Sequence, residues 1–351
     1  MARSSLCMTV FNEAESMEAW LDSLSRQSRQ PDEIVICDGG STDGTVEILR
    51  SRTEKDQRLR VLIVPGANVP EGRNLAISEC NGEVVAVTDA GTILEPDWFE
   101  RILEPLEKDP TIAVSSGFYR PDGRNAFEKV LATAITPGIE EFAEDGFPPS
   151  SRSIAFRKCW WKKVGGYPEW LRAGEDLVFD YRLKQAGAQF RFAPDAVVSW
   201  YPRPNIKAFF NQYRHYARGD GHGKLRTWKH LVRIGSWMAG VVLLPAAKRS
   251  RLLRLALTLG FAVHMRPQLK RVAKNRPRGV RGTVRALVLV PVIVVVGDLA
   301  RMVGYPQGVW ERWRAGGPDG LKEARIKSHR SESAIRGLRE QIPVRDDNPK
   351  A

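Results

Sequence analysis

The sequence predicts an α/β fold with a mostly parallel central sheet, followed by a basic, apolar helical C-terminal region. Three observations carry that prediction. From Ser5 to Asp109, apolar runs that read as strands alternate with amphipathic runs that read as helices. The strand runs are continuously apolar, as in a sheet covered on both faces. Charge is also partitioned: residues 1–220 hold 27 Lys/Arg against 33 Asp/Glu, whereas residues 221–351 hold 27 against 8. With 351 residues the chain can build one large domain and an appendage.

"SLCMTVF" (Ser5–Phe11) reads as the first strand. The helix after it takes Asn12 as N-cap, with Glu13 and Glu15 in the first turn, where the helix dipole favours acids. "DEIVICD" (Asp32–Asp38) is a second strand, and "GGSTDGT" turns tightly into a helix that Asp43 and Thr45 cap. "RLRVLIVP" is a third strand, "EGRNLAISEC" a short helix and "EVVAVTD" a fourth strand. "EPDWFERILEPLEKD" is a helix opened by Pro96 and Asp97. Asn12, Asp38 and Asp89 each fall at the carboxyl end of a strand. Parallel sheets bind ligands beyond those ends, so the three should meet at one rim. From Thr111 the pattern loosens, with a strand in "AVSSGFYRPDG", another before Arg157, a helix in "LVFDYRLKQAG" and last strands in "QFRFAPDAVVSW".

Cys7, Cys37, Cys80 and Cys159 show no metal or redox spacing and read as reduced core thiols of a cytosolic domain. "MARSSLCMTVFNEAES" does not read as a secretory leader. After Asp220 the character changes, and no Asp or Glu occurs from Gly221 to Gly297. Uncharged stretches of 14, 11 and 12 residues (Ile234–Ala247, Leu255–Met265, Ala286–Gly297) sit between Lys/Arg clusters. Each is shorter than the roughly 20 residues of a spanning helix, so re-entrant or interfacial helices at anionic headgroups are expected. The bland alternative is a basic bundle packed on the first domain. Nucleic acid is not expected as a partner, because the clusters alternate with aliphatic stretches and not with stacking aromatics. The expected division is 1–220, 221–314 and a polar, flexible tail at 315–351.

"VFNEAES", "CDGGSTDGT", "EGRN", "TDAGT" and "AGEDLVFDYRL" occur in that order. Together they resemble the family 2 glycosyltransferases, over about residues 5–220. The resemblance implies the GT-A nucleotide-sugar-binding fold and donor contacts from Val10, Asn12, Glu13, Asp38, Arg73, Thr88, Asp89 and Ala90. It gives Asp38 the base of the donor, with an Asx-turn as the competing reading. Arg73 approaches the diphosphate. Asp89 holds Mg²⁺ or Mn²⁺, which neutralises the leaving diphosphate. The family has a second acid two residues on, whereas this chain has Gly91. Asp176 is the implied base that takes the acceptor proton, and Glu175 orients the acceptor or its loop.

"FFNQYRHYARGDGHG" matches only brokenly the Gln-x-x-Arg-Trp element of polymerising members, which argues against a processive synthase. His215 or His222 could complete a metal shell or contact phosphate, with a solvated helix face as the competing reading. Trp160, Trp161 and Trp170 flank "KKVGGYPE", where Gly165 and Gly166 permit a turn with positive φ. The expectation is an inverting transferase at the cytoplasmic face of a membrane. Its donor is a nucleotide sugar, UDP-sugar favoured, and its acceptor a lipid or lipid-linked saccharide. A nucleotidyltransferase is disfavoured, because "FNEAES" stands where a Gly-rich loop with Arg and Lys would be. A non-catalytic membrane scaffold is the alternative that Gly91 motivates.

Overall fold

The computed structural model describes residues 3–142, 148–275 and 279–329. Its first half alternates as expected: β1 (Ser4–Val10), α1 (Ala14–Ser25), β2 (Glu33–Asp38), α2 (Thr45–Thr53), β3 (Leu59–Ile63), α3 (Val69–Glu79), β4 (Val84–Val87). A three-residue strand that the sequence pattern did not reveal, β5 (Thr92–Leu94), precedes α4 (Trp98–Lys108). Then come β6 (Ile112–Pro121), α5 (Ala126–Ile135), β7 (Ile154–Arg157), α6 (Lys158–Lys163), α7 (Glu175–Gln185), β8 (Gln189–Trp200) and α8 (Ile206–Gly223).

One eight-stranded sheet results, in the order β3-β2-β1-β4-β7-β6-β8-β5. The strands β3, β2, β1 and β4 are mutually parallel. Antiparallel β7 joins β4 to β6, and β5 runs antiparallel to β8. Both faces are apolar because both are covered. Leu6, Met8, Ile34 and Ile36 pack with Trp20, Trp98 and Phe99 on one side. Cys7, Val35, Cys37, Val85 and Val87 pack with Ile77, Phe156, Tyr167 and Phe179 on the other. Cys7 and Cys37 on strands and Cys80 at the end of α3 are buried free thiols, which behave as small apolar side chains, whereas Cys159, also expected in the core, is exposed.

Asn12 does not cap α1. It adopts φ 54°, Glu13 holds the N-cap position, and neither supplies a side-chain cap there. The left-handed turn swings the Asn12 side chain toward the loop after β2, where its Oδ1 accepts from the Thr42 amide at 2.9 Å. The start of α1 is served instead by Asp43 Oδ2, which accepts from Ala14 N at 3.0 Å. Asp43 Oδ1 accepts from Thr45 N at 3.1 Å, so one acid ties two helix starts together.

The C-terminal region forms α9 (Thr227–Ala247), α10 (Arg251–Lys274), α11 (Gly279–Arg314) and α12 (Pro318–His329). These helices exceed the uncharged stretches because they run on through the flanking Lys and Arg. Two of them, Thr227–Ala247 and Arg281–Arg314, are long and apolar enough to cross a membrane by length and composition. Leu231, Met238, Val241, Val242 and Leu244 of α9 are exposed, as are Leu252, Leu255 and Leu259 of α10. The 220/221 division falls inside α8. Along α8, α11 packs at close quarters. A Cβ at Gly304 would strike the Arg214 carbonyl, and one at Gly308 the Arg218 carbonyl. Of the tail from 315, α12 lies within the described residues and 330–351 lie outside them.

Candidate active site

The rim begins where β1 and β2 end side by side, with Val10 in register with Asp38. Asp38 is fully buried. Its Oδ1 accepts from Gly40 N at 2.8 Å and Ser41 N at 2.7 Å, and its Oδ2 from the Ser41 hydroxyl at 2.6 Å. The carboxylate thus folds the Gly-rich loop onto itself. Gly39 N donates to the Val10 carbonyl at 2.9 Å, and Asn12 N to Ser41 Oγ at 2.8 Å. Gly40 has φ +93°, which a side chain would resist. Phe11, which sequence reasoning passed over, stands 59% exposed at this rim beside Gly39. Glu13 is set back on α1, where its carboxylate accepts from Ser16 Oγ at 2.7 Å and its N donates to Thr45 Oγ1 at 2.9 Å.

The second part of the rim follows β4. Buried Thr88 meets Thr92, hydroxyl to hydroxyl, at 3.0 Å. The Asp89 carbonyl accepts from Thr92 Oγ1 at 2.7 Å. This tight turn buries Ala90 and leaves the Asp89 side chain one-third exposed. Asp89 Oδ1 accepts from Arg73 Nη2 at 2.6 Å, and Arg73 Nη1 donates to Glu175 Oε1 at 2.8 Å. Arg73 is 3% exposed, held on α3 with Tyr167 near its guanidinium at 5.4 Å. Burial works against its charge, but Asp89 and Glu175 more than offset that and raise its pKa. Three motifs far apart in sequence are therefore joined by one cation.

Glu175 and Asp176 open α7 after Gly174, whose φ of +79° requires glycine. Burial and the adjacent Asp176 push the Glu175 carboxyl up to about 7, against the pull of Arg73. Asp176 Oδ1 accepts from Leu177 N at 2.8 Å, and its Oδ2 has no partner among the described residues. One turn on, Asp180 is buried, and burial and Asp176 raise its pKa.

Asn74 of "EGRN" accepts from Trp161 Nε1 at 3.1 Å and Tyr167 N at 2.9 Å, and so clamps the Gly165-Gly166 turn. Those glycines have φ +75° and +69°, as expected. Trp160 and Trp161 pack on the second core. Trp170 has the Arg312 guanidinium 5.8 Å from its ring centre. The two histidines of α8 have partners away from Asp89. His222 Nε2 lies 2.8 Å from Glu311 Oε2 of α11, and His215 meets the Arg172 carbonyl at 3.4 Å. Among the described residues no three His, Cys, Asp or Glu are grouped to hold a metal. A divalent ion would therefore rest on Asp89 alone, whose Oδ2 is free of any bond shorter than 3.9 Å. One carboxylate plus phosphate oxygens and water suits Mg²⁺ or Mn²⁺. Gly91 adds nothing, and a Cβ there would meet no atom within 4 Å.

Sequence reasoning also missed Arg152. Its Nε stands 3.9 Å from Asp89 Oδ2, and its guanidinium carbon lies 5.6 and 5.2 Å from the ring centres of Tyr119 and Trp200. No motif marks it, since its neighbours come from strands remote in sequence.

A mixed, mostly parallel sheet in which only β7 and β5 run against the rest, with acids gathered at the strand ends, is the GT-A fold of glycosyltransferases. The profile "Glycosyl transferase family 2" matches residues 5–164, and the chain belongs to that family. It is 31% identical over 239 residues to "Succinoglycan biosynthesis protein ExoA" of Rhizobium meliloti (strain 1021), covering 64% of this chain and 70% of that one. It is 25% identical over 229 residues to "Glycosyltransferase AglE" of Haloferax volcanii, covering 64% and 73%. Among solved structures, the mannosyltransferase PcManGT of Pyrobaculum calidifontis, in complex with GDP-Man and Mn²⁺, shares the fold. The TM-score is 0.56 at 18% identity, over 89% of this chain and 88% of that one. The protein is an enzyme of glycosyl transfer, and the scaffold reading falls.

Proposed function

We propose that the protein is an inverting, membrane-associated transferase that moves a sugar from a nucleoside diphosphate to an acceptor hydroxyl. The Asp89–Arg73–Glu175 ion network, with Asp176 beside it, carries this reading. The acceptor oxygen bonds to the anomeric carbon as the sugar–phosphate bond breaks. The bonding pair leaves with the diphosphate, and Asp176 takes the hydroxyl proton. Its unpartnered Oδ2 suits that task. Glu175 holds Arg73, and Arg73 holds Asp89 in place. A divalent ion on Asp89, when bound, supplies positive charge to the diphosphate. Asp38 orders the loop on which the base lies, and Phe11 offers a stacking face there. UDP-sugars remain the first donors to test, and GDP-mannose joins them because the fold neighbour binds it. The exposed apolar faces and excess Lys/Arg of α9 to α11 support attachment at the cytoplasmic face and a lipid-linked acceptor.

The test is donor hydrolysis and binding by the protein in detergent, with Mn²⁺ or Mg²⁺. Expected is one donor bound and slowly hydrolysed, metal-dependent binding weakened in Asp89→Ala, and binding kept but turnover lost in Asp176→Asn. No binding of any nucleotide sugar under either metal would overturn the reading.

A further inference from the structure

The segment entering β7 is pinned on both sides of Arg152. The Ser151 hydroxyl meets Tyr167 OH at 3.0 Å, and Trp98 Nε1 donates to Ser153 Oγ at 2.8 Å. The backbone is therefore fixed, and the Arg152 side chain, 26% exposed, lies near Tyr119, Trp200 and Asp89. Its guanidinium has five donors. Among the described residues they find Ser150 Oγ at 3.5 Å, Tyr216 OH at 3.5 Å and, further off, Asp89 Oδ2 at 3.9 Å. A largely enclosed cation with so little hydrogen bonding is costly unless something else occupies its donors. Neutralising Asp89 does not explain it, because Arg73 already pairs with that carboxylate at 2.6 Å. Ring contacts do not use up the N–H donors of a guanidinium, the fork that binds phosphate oxygens two at a time.

We propose that Arg152 is a diphosphate-binding residue, closing on the phosphate oxygens of the donor and of the nucleoside diphosphate product. This rests on the transferase reading above. It assigns to a protein cation part of the charge that a metal held by a single carboxylate, with Gly91 in place of a second acid, must otherwise carry. Arg152 then strengthens its hold as the sugar–phosphate bond breaks and charge gathers on the diphosphate.

The experiment measures UDP and GDP binding, with uridine and guanosine as phosphate-free controls, with and without Mn²⁺. Wild type, Arg152→Met and Arg152→Lys are compared, each with its melting temperature. In Arg152→Met, diphosphate binding is expected to weaken about tenfold or more in both conditions while nucleoside binding stays unchanged. Arg152→Lys is expected to recover part of the loss, since it keeps the charge without the fork. If Arg152→Met does not fold, the Lys variant is read by the same contrast of nucleotide with nucleoside. Unchanged diphosphate binding, or equal losses for nucleotide and nucleoside, would overturn the proposal and leave the transferase reading intact. Wild-type protein that binds neither diphosphate would sink the transferase reading itself.

Discussion

Arg73 holds one carboxylate that follows β4 and another that opens α7, so its loss is felt at both. Removing one partner of a buried ion network leaves uncompensated charge, and Arg73→Met should destabilise the fold by about 3 kcal/mol. The cost falls at the low end for such pairs, because the Asp89 side chain is 33% exposed and Glu175 can take up a proton. Urea unfolding checks this, and a loss under about 0.5 kcal/mol would place the pairing among ordinary surface contacts. Glu175 itself gives a pH signature. Burial raises its folded pKa to about 7 from 4.5, so the folded protein keeps a proton that the unfolded chain releases. That contribution is fully present below about 4.5 and is lost as pH rises through about 7. Across this window wild type should lose stability relative to Glu175→Gln, and parallel unfolding curves would contradict it. Gly91→Asp should fold normally, since its side chain enters open space. It should also bind Mn²⁺ about tenfold more tightly, because ligand charge sets affinity for hard cations. Paramagnetic titration reads that directly. Asp38 and Asp89 were legible as acids at the ends of apolar strand runs, whereas Asp176 was legible only through the motif resemblance. Arg152 was not, because Tyr119, Trp200 and Tyr216, which enclose it, lie on β6, β8 and α8.

Among the elements, α1 to α4 and β1 to β4 could be read from periodicity and turn residues, whereas β5 could not. Three residues carry too little pattern, and β5 exists because β8 lies alongside it. The long C-terminal helices were underread for a different reason. Counting uncharged residues stops at each Lys or Arg, but a helix does not, since long basic side chains reach outward from an apolar stem. One signal in plain view, Gly304 and Gly308 spaced by four on α11, marks a helix-packing face. There α11 meets α8 with Gly221 opposite, where a Cβ would run into the Tyr305 carbonyl. Gly308→Leu should force the helices apart and cost about 3 kcal/mol or more, as overpacking does. Lower melting temperature and faster proteolysis within α11 should both follow. A variant as stable as wild type would show that the helices do not rely on this contact.

For the whole molecule, attachment to a bilayer should survive salt. Headgroup attraction to Lys and Arg is screened within about 3 Å at 1 M salt, but burial of the α9 and α10 apolar faces is not. Full-length protein should therefore sediment with phosphatidylglycerol vesicles in molar salt. Release by salt alone would mean purely electrostatic docking. The loop after α5 is held to α10 by Arg271 to Glu141 at 2.9 Å and by Lys274 to Glu140. The catalytic half is thus fastened to the basic helices here, along α8 and at Trp170 beside Arg312. The consequence of the glycine contacts between α8 and α11 is one of height. With their two backbones pressed together, α8 and α11 form one stiff pair beneath the cleft. Asp176 would then stand at a set elevation above a membrane surface that held α9 to α11. An acceptor carried on a lipid would have to present its hydroxyl at that elevation, so the enzyme would choose acceptors by the length of their stalk as well as by their chemistry.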